Sequence, residues 1–180
     1  MSRVVGIDQS YTNFGFSVDG ESKKRSFPAT RFDNDVDRLR AVRKWFTEWL
    51  NIQSTGHHID LVVMEGYANA AKFGREMAGE LGGVVKLAVL DSIGQPPLIV
   101  APGSLKKFVT GSGAAKKNTM IMHVYKRWGV EFTDDNQADA YSLEKFGKAY
   151  LLPPLHPDYL ALPKFQQEAI EAVRAGKKNR

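Results

Sequence analysis

Cysteine is absent from the 180-residue chain, which excludes a disulfide framework and thiolate ligation and leaves oxygen and nitrogen as the ligand atoms for any metal. No run of 18 consecutive apolar residues occurs, so no membrane-spanning helix is expected. The start lacks a hydrophobic signal core, because Arg3 leads at once into a strand-like run. A soluble, unsecreted protein is therefore expected. Acid is missing from one long stretch. Between Pro102 and Trp128 stand six basic residues, Lys106, Lys107, Lys116, Lys117, Lys126 and Arg127, and no Asp or Glu. The rest of the chain is near neutral, so the net charge of +5 is a local surplus. A local surplus suits a patch facing a polyanion, although a solvated helix face would carry the same charges.

What is present suffices for one core: 43% of residues are hydrophobic and 11% aromatic, enough for a single ordinary domain of this length. Val4 to Asp8 is a short apolar run ending in an acid, and Phe14 to Val18 follows after a polar turn, which predicts two paired strands. A third strand is expected near Lys23 to Phe27, at an edge because of its lysines and Pro28. Val36, Leu39, Val42, Trp45, Phe46, Trp49 and Leu50 recur at helical spacing, with Asp33 and Asp35 near the helix start. Ile59 to Met64 is a nearly continuous β-branched run, and Glu65 closes it.

A helix is expected over about 72–90. Gly74, Gly79, Gly82 and Gly83 fall inside it, each weakening a helix by roughly 1 kcal/mol relative to Ala and permitting close backbone packing. Leu98 to Ala101 supplies another strand. Helices follow over about 104–109 and 117–128, with the loop Thr110 to Ala115 between them, and a last strong helix runs from Asp134 or Asp135 to about Leu151. Pro153, Pro154, Pro157 and Pro163 then predict a stiff connection, with a small terminal helix over Phe165 to Ala175. The expected division is a domain over 1–152 and a Pro-rich extension over 153–180. The order of elements implies an α/β mixed sheet with helices on its faces.

Three acids stand where isolated charge is costly: Asp8 and Glu65 close apolar strands, and Asp139 lies between alanines on an apolar helix. Burying unpaired carboxylates costs several kcal/mol, roughly, and a shared cation removes that penalty. Clustered hard oxygens select Mg²⁺ or Mn²⁺, and two such ions roughly 4 Å apart can activate water and stabilise a leaving oxygen at a phosphodiester. Asp135 stands four residues before Asp139 and Asn136 three before it, so either shares its helix face and could be a fourth ligand. Each acid alone could equally be a turn, an ion pair or a helix start. His57, His58, His123 and His156 have no metal-ligand spacing.

Val5-Gly-Ile-Asp8-Gln-Ser-Tyr-Thr-Asn-Phe-Gly15, Val63-Met-Glu65-Gly-Tyr67, Pro102-Gly-Ser-Leu-Lys106-Lys107, Gly111-Ser-Gly113-Ala-Ala-Lys116-Lys117 and Asp135-Asn-Gln-Ala-Asp139-Ala140 occur in this order. Together they resemble the RuvC-type Holliday junction resolvases, in wording nearest to bacteriophage versions, over roughly Val4 to Ala149. The resemblance implies an RNase H-like fold, a mixed five-stranded sheet flanked by helices. It also implies a Mg²⁺-dependent crossover junction endodeoxyribonuclease, with Mn²⁺ able to substitute, acting as a homodimer on four-way junctions and other branched DNA in the cytoplasm, that of the bacterial host if phage-encoded. Asp8, Glu65 and Asp139 would be the metal ligands, and Lys106 and Lys117 would contact DNA, with Lys107 and Lys116 beside them. Tyr67 is the candidate for disturbing base stacking at the crossover. The family usually has an acid or His where Asn136 stands; Asp135 is the favoured replacement, with Asn136 as the other candidate.

Two other readings compete. One is a branched-DNA binding module that cleaves poorly or not at all, against which the retained Asp8, Glu65 and Asp139 argue. The other is an actin-like ATPase, for which 180 residues leave little room. For the dimer, the helix over about 72–90 is the candidate interface, with Gly79, Gly82 and Gly83 allowing close approach and Leu81, Val84, Val85 and Leu87 supplying apolar contact; its alternative is packing against the sheet.

Overall fold

Alternation of side chains along a strand sends neighbouring residues to opposite faces, and here that alternation builds two cores. In the computed structural model, which describes residues 2–66, 75–116 and 119–177, the sheet comprises β1 (Val4–Asp8), β2 (Phe14–Val18), β3 (Glu21–Arg25), β4 (Leu61–Glu65) and β5 (Leu98–Val100). Their order is β3-β2-β1-β4-β5. β1, β2 and β3 form an antiparallel meander, while β4 pairs parallel with β1 and β5 parallel with β4. This is the mixed five-stranded sheet with flanking helices that the sequence predicts.

Val5, Ile7, Val62 and Met64 face one core, where they meet Val42, Phe46 and Leu50 of α1 (Asp35–Ser54) and Leu81, Val85 and Val89 of α2 (Arg75–Ile93). Val4, Leu61 and Val63 face the other. There they meet α3 (Pro102–Thr110), α4 (Thr119–Trp128) and α5 (Asp135–Leu151). The acids near the start of α1 frame an Asn cap: the Asn34 side chain accepts from the Asp37 amide. Pro102 supplies the first turn of α3, where its missing N–H costs nothing. Gly111 ends α3 at a φ of 90°, a left-handed conformation that glycine adopts readily.

α5 lies directly on the backbone of β1 and β2. A Cβ on Gly6 would overlap the Ala140 carbonyl and the Glu144 amide, and one on Gly15 would overlap the Asn136 carbonyl. Gly147 makes the reciprocal approach, against Val4 and Val63. Glycines on both surfaces thus fix where α5 sits, and so where Asn136 and Asp139 emerge relative to β1.

Beyond α5 the prolines do not lead into a purely extended segment. α6 (Pro157–Leu160) is a short helical turn, and α7 (Lys164–Lys177) packs on α3. Gln166 donates to the Phe108 carbonyl, 3.0 Å, and Ala169 and Ile170 enter the core beside Phe108. Arg174 stacks on Tyr150 and Tyr159 and donates to the carbonyls of Tyr150 and Leu152.

Candidate active site

Parallel pairing brings the C-terminal ends of β1 and β4 side by side, so their terminal acids open onto the same end of the sheet. There a cleft of about 430 Å³ is lined by Asp8, Ser10, Thr12, Asn13, Glu65, Pro102, Leu105, Lys106, Met120, Asn136 and Asp139. The strands supply Asp8 and Glu65, α5 supplies Asn136 and Asp139, and α3 supplies Lys106. Residues distant in sequence therefore share one wall-to-wall space because α5 crosses β1 at Gly6.

The start of α5 sorts the two candidates beside Asp139. Asp134 is the N-cap, its Oδ1 accepting from the Gln137 amide at 3.2 Å, while Asp135 Oδ1 accepts from the Asn136 amide at 3.1 Å. Asn136 faces the sheet with Ala140 and Glu144 and is buried; it lines the cleft, whereas Asp135 is not among the lining residues. Its Nδ2 donates to the Asn13 carbonyl, 2.5 Å, which commits the donor end of the amide to the β1–β2 turn.

That turn is held at two further points. Gln9 Nε2 donates to the Glu65 carbonyl at 2.9 Å. Tyr11 accepts through its carbonyl from the Phe27 amide, 2.8 Å, and its ring carries the Arg38 guanidinium at 3.8 Å. Arg38 is buried and donates to the Phe27 carbonyl, 2.7 Å. Burial pushes the Tyr11 phenol up, with the Arg38 charge opposing it.

The donor set is chemically suited to a hard divalent cation: the carboxylates of Asp8, Glu65 and Asp139 with the amides of Asn13 and Asn136 on the cleft wall. Among the described residues no group of three or more His, Cys, Asp or Glu side chains is drawn together as a ready-made metal cluster.

The basic stretch divides by role. Lys106 lines the cleft. Lys107 instead pairs with Glu168 of α7, 2.8 Å, and that bond holds the Glu168 carboxyl below its ordinary range. Arg127 donates to the Val109 carbonyl and stacks on Phe165, and burial lowers its pKa. Lys116 and Lys126 are exposed. Lys117, Tyr67, Phe73 and Gly74 lie outside the described residues.

Sequence reasoning missed several residues here. Ser10, Thr12 and Asn13 were visible within the first motif, but without a pattern to tell a cleft wall from a turn. Glu144 is fully buried on α5, accepting from Ser17 Oγ at 2.6 Å, from the Gly20 amide at 3.0 Å and from Lys148 at 2.6 Å. Its spacing of four residues from Ala140 and eight from Asn136 was the available signal.

No family model matches the chain. Two solved structures share the fold. The Thermus thermophilus RuvC structure aligns with a TM-score of 0.63 at 19% identity, covering 79% of this chain and 90% of that one. T. thermophilus RuvC in complex with Holliday junction substrate aligns at 0.60 and 19%, covering 80% and 91%. The sheet order and flanking helices are thus those of the RNase H-like RuvC fold. The crossover junction endodeoxyribonuclease RuvC of a Parafrankia species is 32% identical over 125 residues, covering 64% of this chain and 67% of that protein. At that identity and coverage, the chain belongs to the RuvC family of crossover junction endodeoxyribonucleases.

Proposed function

We propose that this chain is a structure-specific endonuclease that resolves four-way DNA junctions and other branched DNA by phosphodiester hydrolysis dependent on Mg²⁺, with Mn²⁺ able to substitute. The observation that carries the reading is the convergence of Asp8, Glu65, Asp139, Asn136 and Lys106 on one cleft at the end of the parallel strands. Asp8, Glu65 and Asp139 would hold divalent cations through carboxylate oxygens, and the Asn136 amide oxygen completes the set in preference to Asp135. When bound, such ions supply activation of the attacking water and stabilisation of the leaving oxygen. Lys106 offers its ammonium to a phosphate in the cleft, and the hydroxyls of Ser10 and Thr12 offer hydrogen bonds to backbone oxygens. Lys116 is exposed outside the cleft, Lys117 remains a DNA-contact candidate on its motif, and Tyr67 remains the candidate for opening the crossover.

Junction resolution needs two symmetric cuts, and the described residues of one chain bring Asp8, Glu65 and Asp139 together in a single cleft, so we assign the active species as a homodimer. On α2, Leu81, Gly82, Val85, Ala88 and Val89 are buried, which removes Leu81, Gly82 and Val85 from the expected dimer surface. Leu87 and Leu90 are exposed on the opposite side, and among the described residues a Cβ on Gly79 or Gly83 would meet nothing within 4 Å. This outer stripe supports α2 as the interface. Among the described residues no helix is long and apolar enough to cross a membrane, which is compatible with action in the bacterial cytoplasm, where the DNA lies.

The test is incubation with a synthetic four-way junction, with Mg²⁺ or with EDTA, and mapping of cuts on a denaturing gel. Paired symmetric nicks that require Mg²⁺ are expected. Tight junction binding without any cut under single-turnover conditions would replace this reading with that of a branched-DNA binding module.

A further inference from the structure

The parallel ladder between β1 and β4 ends at Ile7 and Met64, one residue short of the two acids. After Asp8 the chain turns away toward β2. Glu65 is still held on its far side, by pairing with Val100 and by the Gly66 amide donating to the Val100 carbonyl at 2.7 Å. On the β1 side the next rung is made by a side chain, since Gln9 Nε2 reaches across to the Glu65 carbonyl at 2.9 Å.

We propose that Gln9 is a positioning residue whose amide replaces the missing ladder rung and so sets the spacing of Asp8 and Glu65. The inference rests on the reading of the cleft as a divalent-metal nuclease site. Two adjacent strand ends, each bearing a carboxylate, repel one another. A tie between them has to donate to a carbonyl without adding charge, which an amide does, a carboxylate cannot do and an ammonium does only by neutralising the site. The other end of the same amide argues against a packing role. Gln9 Oε1 is buried and has no hydrogen-bonding partner among the described residues. A buried, unsatisfied acceptor costs stability relative to an apolar group of the same shape. Fold stability alone would favour methionine at this position; the donor is what methionine lacks.

Outer residues that orient metal ligands typically change metal affinity ten- to a hundred-fold, roughly, when replaced. The measurement is Mn²⁺ binding to the full chain without DNA, by isothermal titration, alongside thermal melting of each variant. Gln9→Met, which keeps length and volume, is expected to weaken Mn²⁺ binding about ten-fold while the melting temperature stays near that of the parent. Gln9→Asn, which keeps the amide but shortens its reach, should behave alike. Cleavage should then need more Mg²⁺ for half-saturation, with junction affinity in EDTA unchanged. Wild-type Mn²⁺ affinity in both variants, while Asp8→Asn loses it, overturns the inference and leaves the metal-site reading standing. An affinity loss seen only where the melting temperature has also collapsed overturns it as well. Mn²⁺ binding unaffected by Asp8→Asn overturns the reading beneath it.

Discussion

Asn136 lines the cleft and Asp135 does not, so the two residues carry opposite expectations. Asn136→Ala should impair cleavage strongly, because it removes an oxygen on the cleft wall and the bond to Asn13. Asp135→Asn should be mild, since an amide oxygen can still accept from the Asn136 backbone. Single-turnover cleavage of a four-way junction ranks them, and the reverse order would return Asp135 to the ligand set. Asp8→Asn, Glu65→Gln and Asp139→Asn preserve shape while removing charge, and each should abolish cleavage with binding in EDTA retained. The neighbouring lysines separate in the same way. Lys106→Ala should reduce the salt slope of junction binding by about one. Lys107→Ala should leave that slope unchanged and shift the melting temperature little, because its partner is the exposed Glu168. Equal salt slopes for the two variants would refute this division of the basic stretch.

Among the elements, those with a clear hydrophobic period were legible in the sequence, and the contacts between them were not. The runs ending in Asp8 and Glu65 announced buried strands, and the stripe from Val36 to Leu50 announced α1. β3 was expected at residues 23–27 and lies at Glu21–Arg25, because register with β2 outweighs its poor strand composition. The α3 start was placed two residues late, since Pro102 looks like a breaker and acts as a first-turn residue. The docking partner of α7 was invisible: the apolar spacing of Ala169, Ile170 and Val173 announces a helix but not that it meets α3, where Gln166 reaches the Phe108 carbonyl. The role of Gly6 was equally hidden: a glycine in a strand shows nothing of the helix above it. It predicts that Gly6→Ala forces α5 off β1, costing about 1–3 kcal/mol or more and with it cleavage. Circular dichroism melting and the junction assay would show both losses together; an unaffected variant would mean that α5 is not seated on Gly6. Glu144→Ala should cost about 2 kcal/mol, by leaving Ser17 and the Gly20 amide short of an acceptor.

For the whole molecule, the open space at Gly83 allows a clean test of assembly. A Cβ at Gly83 would meet nothing within 4 Å among the described residues, so Gly83→Leu should leave the fold standing while a partner helix is pushed away. Light scattering at micromolar concentration is expected to give a dimer for the parent and a monomer for the variant, with paired junction cuts reduced to single nicks. A dimer that persists would move the interface off α2. The order in which the chain contributes to the cleft has a further consequence during synthesis. Asp8 emerges in the first strand and Asp139 on a helix that begins more than a hundred residues later, and the helix seats directly on that first strand. Contacts of such wide sequence separation form late and slowly. If Asp8 and Asp139 together form the cutting centre proposed above, a growing chain would complete it only after α5 has left the ribosome and closed over β1, and an unfinished copy should not cut DNA.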